Sequence, residues 1–277
     1  MKRKYDLAVL LVLVISFTLT SCSKEDSTTS PKSDIPEIPG YTLVWNEEFD
    51  KSNIDLTKWE HEVNSDGGGN NELQFYTAFP KNSFIENGHL VIKAINETYQ
   101  ERYFTSARIR SKYKGDWLYG RIEVSAKLPT GKGTWPAIWM LSTDWEYGGW
   151  PESGEIDIME HVGYDPNVVH GSIHTKAYNH TIGTQKTAKL PISTATTEFH
   201  KYAIEWFEDH IDFYIDSIKY LTFNNENKGW AYWPFDKRFH LILNLAVGGT
   251  WGGAQGIDPS AFPASMEIDY VRVYKKN

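Results

Sequence analysis

Residues 155–160 read Glu-Ile-Asp-Ile-Met-Glu, inside the stretch GEIDIMEHVG that runs from Gly154 to Gly163. Acids alternate with apolar residues, the pattern of a strand with one polar and one buried face. Side chains on a strand change face at every residue, so Glu155 and Asp157 point one way and Glu160, five residues on, points the other. One extra residue in the strand, a β-bulge at Ile158–Met159, resets the phase and brings all three acids to one face. Two glutamates so placed stand about 5–5.5 Å apart, the separation at which one attacks a sugar carbon and the other protonates the leaving oxygen. Three carboxyls that close cannot all ionise cheaply, so their pKa values split. A proton held on or near Asp157 would bond Glu155 and keep Glu160 protonated for an acid role. An idle, solvated strand face carries the same alternation, so the spacing alone does not decide.

The neighbouring residues add to this pattern. Trp135 and Trp139, in GTWPAIWML, are four apart and share a strand face; on a cleft they stack on sugars, in a core they simply pack. Trp251 sits on the glycine-rich GGTWGG segment, a loop able to lean over a cleft. His170 and His174 have the same four-residue spacing, but no third His or Cys stands near them to complete a zinc site. The chain of 277 residues has 11 Trp and 16 Tyr, more flat amphipathic rings than a core needs, which suits carbohydrate stacking. A formal charge of −8 argues against nucleic acid and anionic surfaces as partners.

The elements that must hold these residues read as strands. In RIEVSAKL, Ile122, Val124, Ala126 and Leu128 alternate with Arg121, Glu123, Ser125 and Lys127. Three strands follow between Phe199 and Phe223, with turns at Glu208–His210 and Asp216–Ser217. FHLILNLAV and SMEIDYVRVY close the chain as two more. No long segment holds a helical period outside the N-terminus, so the expectation is one antiparallel β-sandwich over residues 41–277. The N-terminus is a targeting segment. Lys2, Arg3 and Lys4 precede an apolar run from Leu7 to Leu19, too short to span a membrane. LTSC ends the run, and Cys22 is the single cysteine, which excludes an internal disulfide. Residues 23–40 are polar and hold Pro31, Pro36 and Pro39, the composition of a tether.

Two resemblances extend this reading. Residues 1–21 followed by Cys22 resemble a bacterial lipoprotein signal, and the SKED that follows resembles the surface-export signal of Bacteroidetes lipoproteins. This implies cleavage before Cys22, lipidation there, a tether over 22–40, and display on the outer membrane. GTWPAIWML, GEIDIMEHVG and HGSIHT resemble glycoside hydrolase family 16, its bacterial laminarinase and β-glucanase branch. WNEEFD, NELQFYT, ENGHLVIKA, TSARIRSKYKG, YGRIEVSAKLP, NLAVGGTWGG and EIDYVRVY follow in the family's order across nearly everything after the tether. The family implies a jelly-roll sandwich with a cleft across its concave sheet. It implies Glu155 as nucleophile, Glu160 as acid/base and Asp157 as their electrostatic partner. It also implies Asn71 on a donor-side sugar and His174 beside Glu160. No cofactor is needed for catalysis. A structural calcium is implied on the convex side at Glu48, the Gly88 carbonyl and Asp269, with Glu47 competing for the first position. The expected substrate is β-1,3-glucan or mixed-linkage β-1,3/1,4-glucan. A galactan hydrolase and a non-catalytic glycan-binding lipoprotein are the alternatives.

Overall fold

The computed structural model describes Met1 and residues 35–277. The signal segment, Cys22 and most of the tether therefore lie outside the described residues. Two sheets pack face to face. The outer sheet has ten strands, and the strand Ala264–Lys276 sits near its middle, between Gly120–Lys127 and His89–Tyr99. The cleft sheet has eight. Its main order runs Lys186–Pro191, Val168–His174, Glu155–His161, Thr134–Ser142, Phe239–Val247, Arg108–Arg110, Glu60–His61. Helical structure among the described residues is confined to two short 3₁₀ turns, His180–Ile182 and Pro259–Ala261. The first strand starts at Tyr41 and the last ends at Lys276.

One feature departs from a wholly antiparallel sandwich. Gln74–Tyr76 pairs parallel to Arg102–Ser106. This segment arrives from the cleft edge, where Tyr76 also bridges Asn64, so its direction is set by the loop that carries it.

Alternation builds the core between the sheets. Ile122, Val124, Ala126 and Leu128 are all at most 2% exposed, joined from the other sheet by Ile156, Ile158, Met159, Leu241, Leu243 and Leu245. The opposite face of the RIEVSAKL strand is covered as well: Glu123 is buried and accepts from Tyr270 Oη at 2.8 Å. Phe239–Val247 is buried along its whole length, because one of its faces is core and the other is the floor of the cleft.

The expected bulge is present. Asp157 pairs with Ser172 and Glu160 with His170, so Ile158 and Met159 together face the single residue Gly171. On the other side Met159 pairs with Ile138 and Asp157 with Trp139, which identifies Ile158 as the extra residue. Ile158 and Met159 both enter the core, and burying two successive apolar side chains is what turns Glu160 back toward the acids. Gly171 leaves the room needed: a Cβ there would lie 2.3 Å from Tyr220 Oη and 3.0 Å from Phe213 Cδ1.

Candidate active site

Strand register lays the cleft floor out in rungs. In one rung His174, Glu155, Leu141 and His240 lie side by side. In the next, Ser172, Asp157, Trp139, Ile242 and Arg110 do so, and in the third His170, Glu160, Ala137, Asn244 and Arg108. Glu155, Asp157, Glu160, Trp135, Trp139 and Asn244 all line one recess. Ala137, the smallest side chain of its rung, leaves a low point between the two indoles.

Each glutamate receives an indole N–H. Trp135 Nε1 donates to Glu160 Oε1 at 3.1 Å and Trp150 Nε1 to Glu155 Oε2 at 2.8 Å. His174 Nε2 lies 3.2 Å from Asp157 Oδ2 and 3.8 Å from Glu155 Oε1. Burial pushes the Glu155 carboxyl up to about 8, aided by the charge of Asp157 and opposed by His174 and the Trp150 bond. Burial also pushes Glu160 up to about 7, aided by Glu155 and opposed by His174 and the Trp135 bond. Asp157 is raised well above the carboxylate range by burial and by Glu160. The site therefore holds protons near neutrality, as an acid catalyst requires.

Trp135 serves as more than a stacking surface: it is nearly buried, packed with Val162 and Ala246, and its indole meets Trp251 edge-on at 5.5 Å. Trp251 does lean over the cleft, meeting His170 at 5.0 Å as well. Its loop is tied down by Thr250 N donating to Asn70 O at 2.7 Å. Gly249 (φ +75°) lies under this tie, where a Cβ would fall 3.0 Å from Asn70 O and 3.2 Å from the Trp135 ring.

Two expected placements are corrected. Asn71 does not face the cleft; it occupies a turn at φ 57° with its side chain exposed, and Asn70 lines the recess instead. The tight GGGNN turn displaces the pair by one residue, which strand alternation could not reveal. His174 stands beside Glu155 and Asp157, because it pairs directly with Glu155 ahead of the bulge, and the residue across from Glu160 is His170. Sequence reasoning also missed Trp150, Glu72 and Arg108. The WPES context and the single buried acid of NNELQ carried no periodic signal.

A model of the family described as Glycosyl hydrolases family 16 matches residues 69–272. The chain is a family 16 glycoside hydrolase. A β-glucanase of Rhodothermus marinus is 50% identical over 266 residues, covering 93% of this chain and 91% of that protein. The solved laminarinase of Rhodothermus marinus superposes with a TM-score of 0.84 at 51% identity, over 86% of this chain and 99% of that one. A solved non-specific endo-β-1,3(4)-glucanase of the same family gives 0.83 at 45%, over 88% and 94%. The sandwich described above is the jelly roll of these laminarinases.

Family 16 hydrolases need no cofactor for catalysis. Among the described residues, Glu155, Asp157 and His174 form the one acid–histidine group whose donor atoms lie within 4.8 Å of one another. A metal ion there would occupy acids whose spacing suits double displacement. On the outer sheet, the first strand ends opposite Val271 and the strand of Leu90 begins opposite Ile268, so Glu48, Gly88 and Asp269 flank one junction. Glu48 there receives Arg272 on both oxygens, at 3.0 and 2.8 Å, and His89 Nε2 stands 3.6 Å from Asp269.

The raised acids make this hydrolase less stable as pH rises. An unfolded glutamate titrates near about 4.3, and folded Glu160 near about 7. Between those values the folded state binds more protons than the unfolded one, so stability falls with increasing pH. Glu160→Gln is expected to raise Tm over the parent at pH 8, with the two proteins converging near pH 4. Thermal unfolding at both pH values checks this, and an equal difference at both contradicts it.

Proposed function

We propose that this hydrolase cuts β-1,3-glucan or mixed-linkage β-1,3/1,4-glucan internally, with retention, by double displacement. The observation that carries the reading is the Ile158 bulge, which puts Glu155, Asp157 and Glu160 on the floor of one cleft. Glu155 acts as nucleophile in its ionised form, which the Trp150 N–H and His174 favour against the burial that raises its pKa. That carboxylate attacks the anomeric carbon while Glu160, in the microstate that carries the proton, gives it to the departing glycosidic oxygen. The glycosyl–Glu155 ester is then cleaved by water, which loses a proton to Glu160 as it attacks the same carbon. Asp157 is the electrostatic partner, sharing a hydrogen bond with Glu155 and spreading the charge of the pair. Trp135, Trp139 and Trp251, with Asn70 in place of Asn71, face the sugar chain, and His174 steadies the charge on Glu155.

The relatives named β-glucanase and laminarinase support a glucan substrate. So does the charge of the cleft. Its permanently cationic lining residue is Arg108, which is already engaged with Glu62 at 3.0 Å, and a sulfated galactan would need more. A purely glycan-binding role would leave the acids without work. Reducing-sugar release from laminarin, barley β-glucan, lichenan, agar and carrageenan separates these readings. Release from the glucans alone is expected, and release from agar or carrageenan alone, or from none, overturns it. In the glucan assay Glu155→Gln is expected to lower kcat at least about a thousandfold while leaving oligosaccharide binding intact.

Two further parts of the proposal lie outside the cleft. Calcium binds at the junction of Glu48, the Gly88 carbonyl and Asp269, whose oxygen donors suit a hard cation; Glu48 would share its carboxylate with Arg272. Chelation is then expected to lower Tm by several degrees and added calcium to restore it; an unchanged Tm rejects the site. Residues 1–21 direct export, and Cys22 carries the lipid that anchors the enzyme to the outer membrane through the 22–40 tether. Labelling of cells with a palmitate analogue should mark the wild type and not Cys22→Ala; an unmarked wild type rules the anchor out.

A further inference from the structure

A buried polar chain runs beneath the cleft and ends on one of its indoles. Glu72 is only 6% exposed, yet it borders the recess. Its Oε2 accepts from Gln74 Nε2 at 2.7 Å and from Tyr76 Oη at 3.1 Å. Tyr76 Oη accepts in turn from Asn244 Nδ2 at 3.0 Å, and Asn244 Oδ1 accepts from Trp139 Nε1 at 2.6 Å. Tyr76, Gln74 and Asn244 are all at most 5% exposed, so the bonds among Gln74, Glu72, Tyr76 and Asn244 are shielded from water, while the bond to Trp139 is half-buried at the cleft floor. The chain has one direction. The carboxylate can only accept, which makes Tyr76 donate to it, which leaves the tyrosine oxygen free to accept from Asn244 and fixes the amide with its oxygen toward the indole. From the other side, the Arg108 guanidinium lies over the Trp139 ring at 4.7 Å. The indole is thus held by its edge and by one face.

From this geometry we infer that Glu72 is a positioning residue: through Tyr76 and Asn244 it sets the plane in which Trp139 meets the sugar. The inference rests on the glucanase reading and assigns to it a residue that touches none of the reacting atoms. A sugar–indole stack needs a parallel approach, and a ring free to rotate about its side-chain torsions loses binding to the entropy of ordering it. Loss of the chain should therefore weaken glucan binding more than it slows the chemical step.

Steady-state kinetics on laminarin with Glu72→Ala, Glu72→Gln and Tyr76→Phe tests this, with Tm measured for each. Glu72→Ala and Tyr76→Phe are expected to raise KM about tenfold with kcat within about twofold of the parent. Glu72→Gln keeps an oxygen acceptor for Tyr76 and Gln74 and is expected to restore KM. A residue that only stabilises the fold would lower Tm in all these variants and leave KM unchanged. That result, or a Glu72→Gln variant no better than Glu72→Ala, overturns the inference. If the wild type releases no sugar from any glucan, the reading of function has failed instead. The chain is then tested by calorimetric binding of laminarin, in which Tyr76→Phe must still bind more weakly than the parent.

Discussion

The site depends on a single phase slip. A regular strand from Glu155 to His161 would send Glu160 into the core and Met159 into the cleft, an exchange that buries a carboxyl and exposes an apolar side chain. The slip is stabilised from below, because Ile158 and Met159 both find core contacts, and it is permitted from the side, because Gly171 has no Cβ to compete with Tyr220 and Phe213. Hydrophobic burial thus sets the geometry of the acids. The cleft contributes the indole bonds that aim them, at 3.1 Å for Trp135 and 2.8 Å for Trp150.

That arrangement works against stability. Three carboxyls on adjacent rungs, over a floor of Trp139, Leu141 and Ile242, are shielded from water and repel one another, and all three rise in pKa. The fold tolerates this because the rest of the cleft sheet is densely packed: Phe239–Val247 is wholly buried, with Trp206 and Phe235 against Phe239 at its end. Strain at an active site offset by packing elsewhere is the usual balance in enzymes.

How much of this was legible in the sequence follows from which signals are local. The bulge could be read because three acids out of phase in six residues have one economical explanation. The strands RIEVSAKL and FHLILNLAV could be read because alternation and continuous apolarity are strand properties. Asn71 was misplaced because a turn of consecutive positive-φ residues, Gly67 to Gly69 and then Asn71 itself, has no face to count along. His174 was placed by family likeness and not by register: it pairs directly with Glu155, two rungs from the pair of Glu160 with His170, and strand pairing between separate segments leaves no mark in either segment alone. Glu72, Tyr76 and Asn244 meet across more than 160 residues of chain, and no local pattern announces such a contact.

The two loops that frame the recess complete the constraint. Residues 67–70 and 248–252 come from distant parts of the chain and are joined by Leu73 N to Val247 O at 2.9 Å, Thr250 N to Asn70 O at 2.7 Å, and the bridge between Glu72 and Gly248. Trp251 and Trp135 meet at this seam, and Trp135 carries the bond to Glu160. A shift of the glycine-rich loop therefore reaches the acid through two indoles without moving any strand. The hydrolase keeps its acids on rigid strands and part of its grip on the polymer at their margins, so a change in the glycine-rich loop acts on the fit of the glucan and, through Trp251 and Trp135, on the aim of Glu160 together.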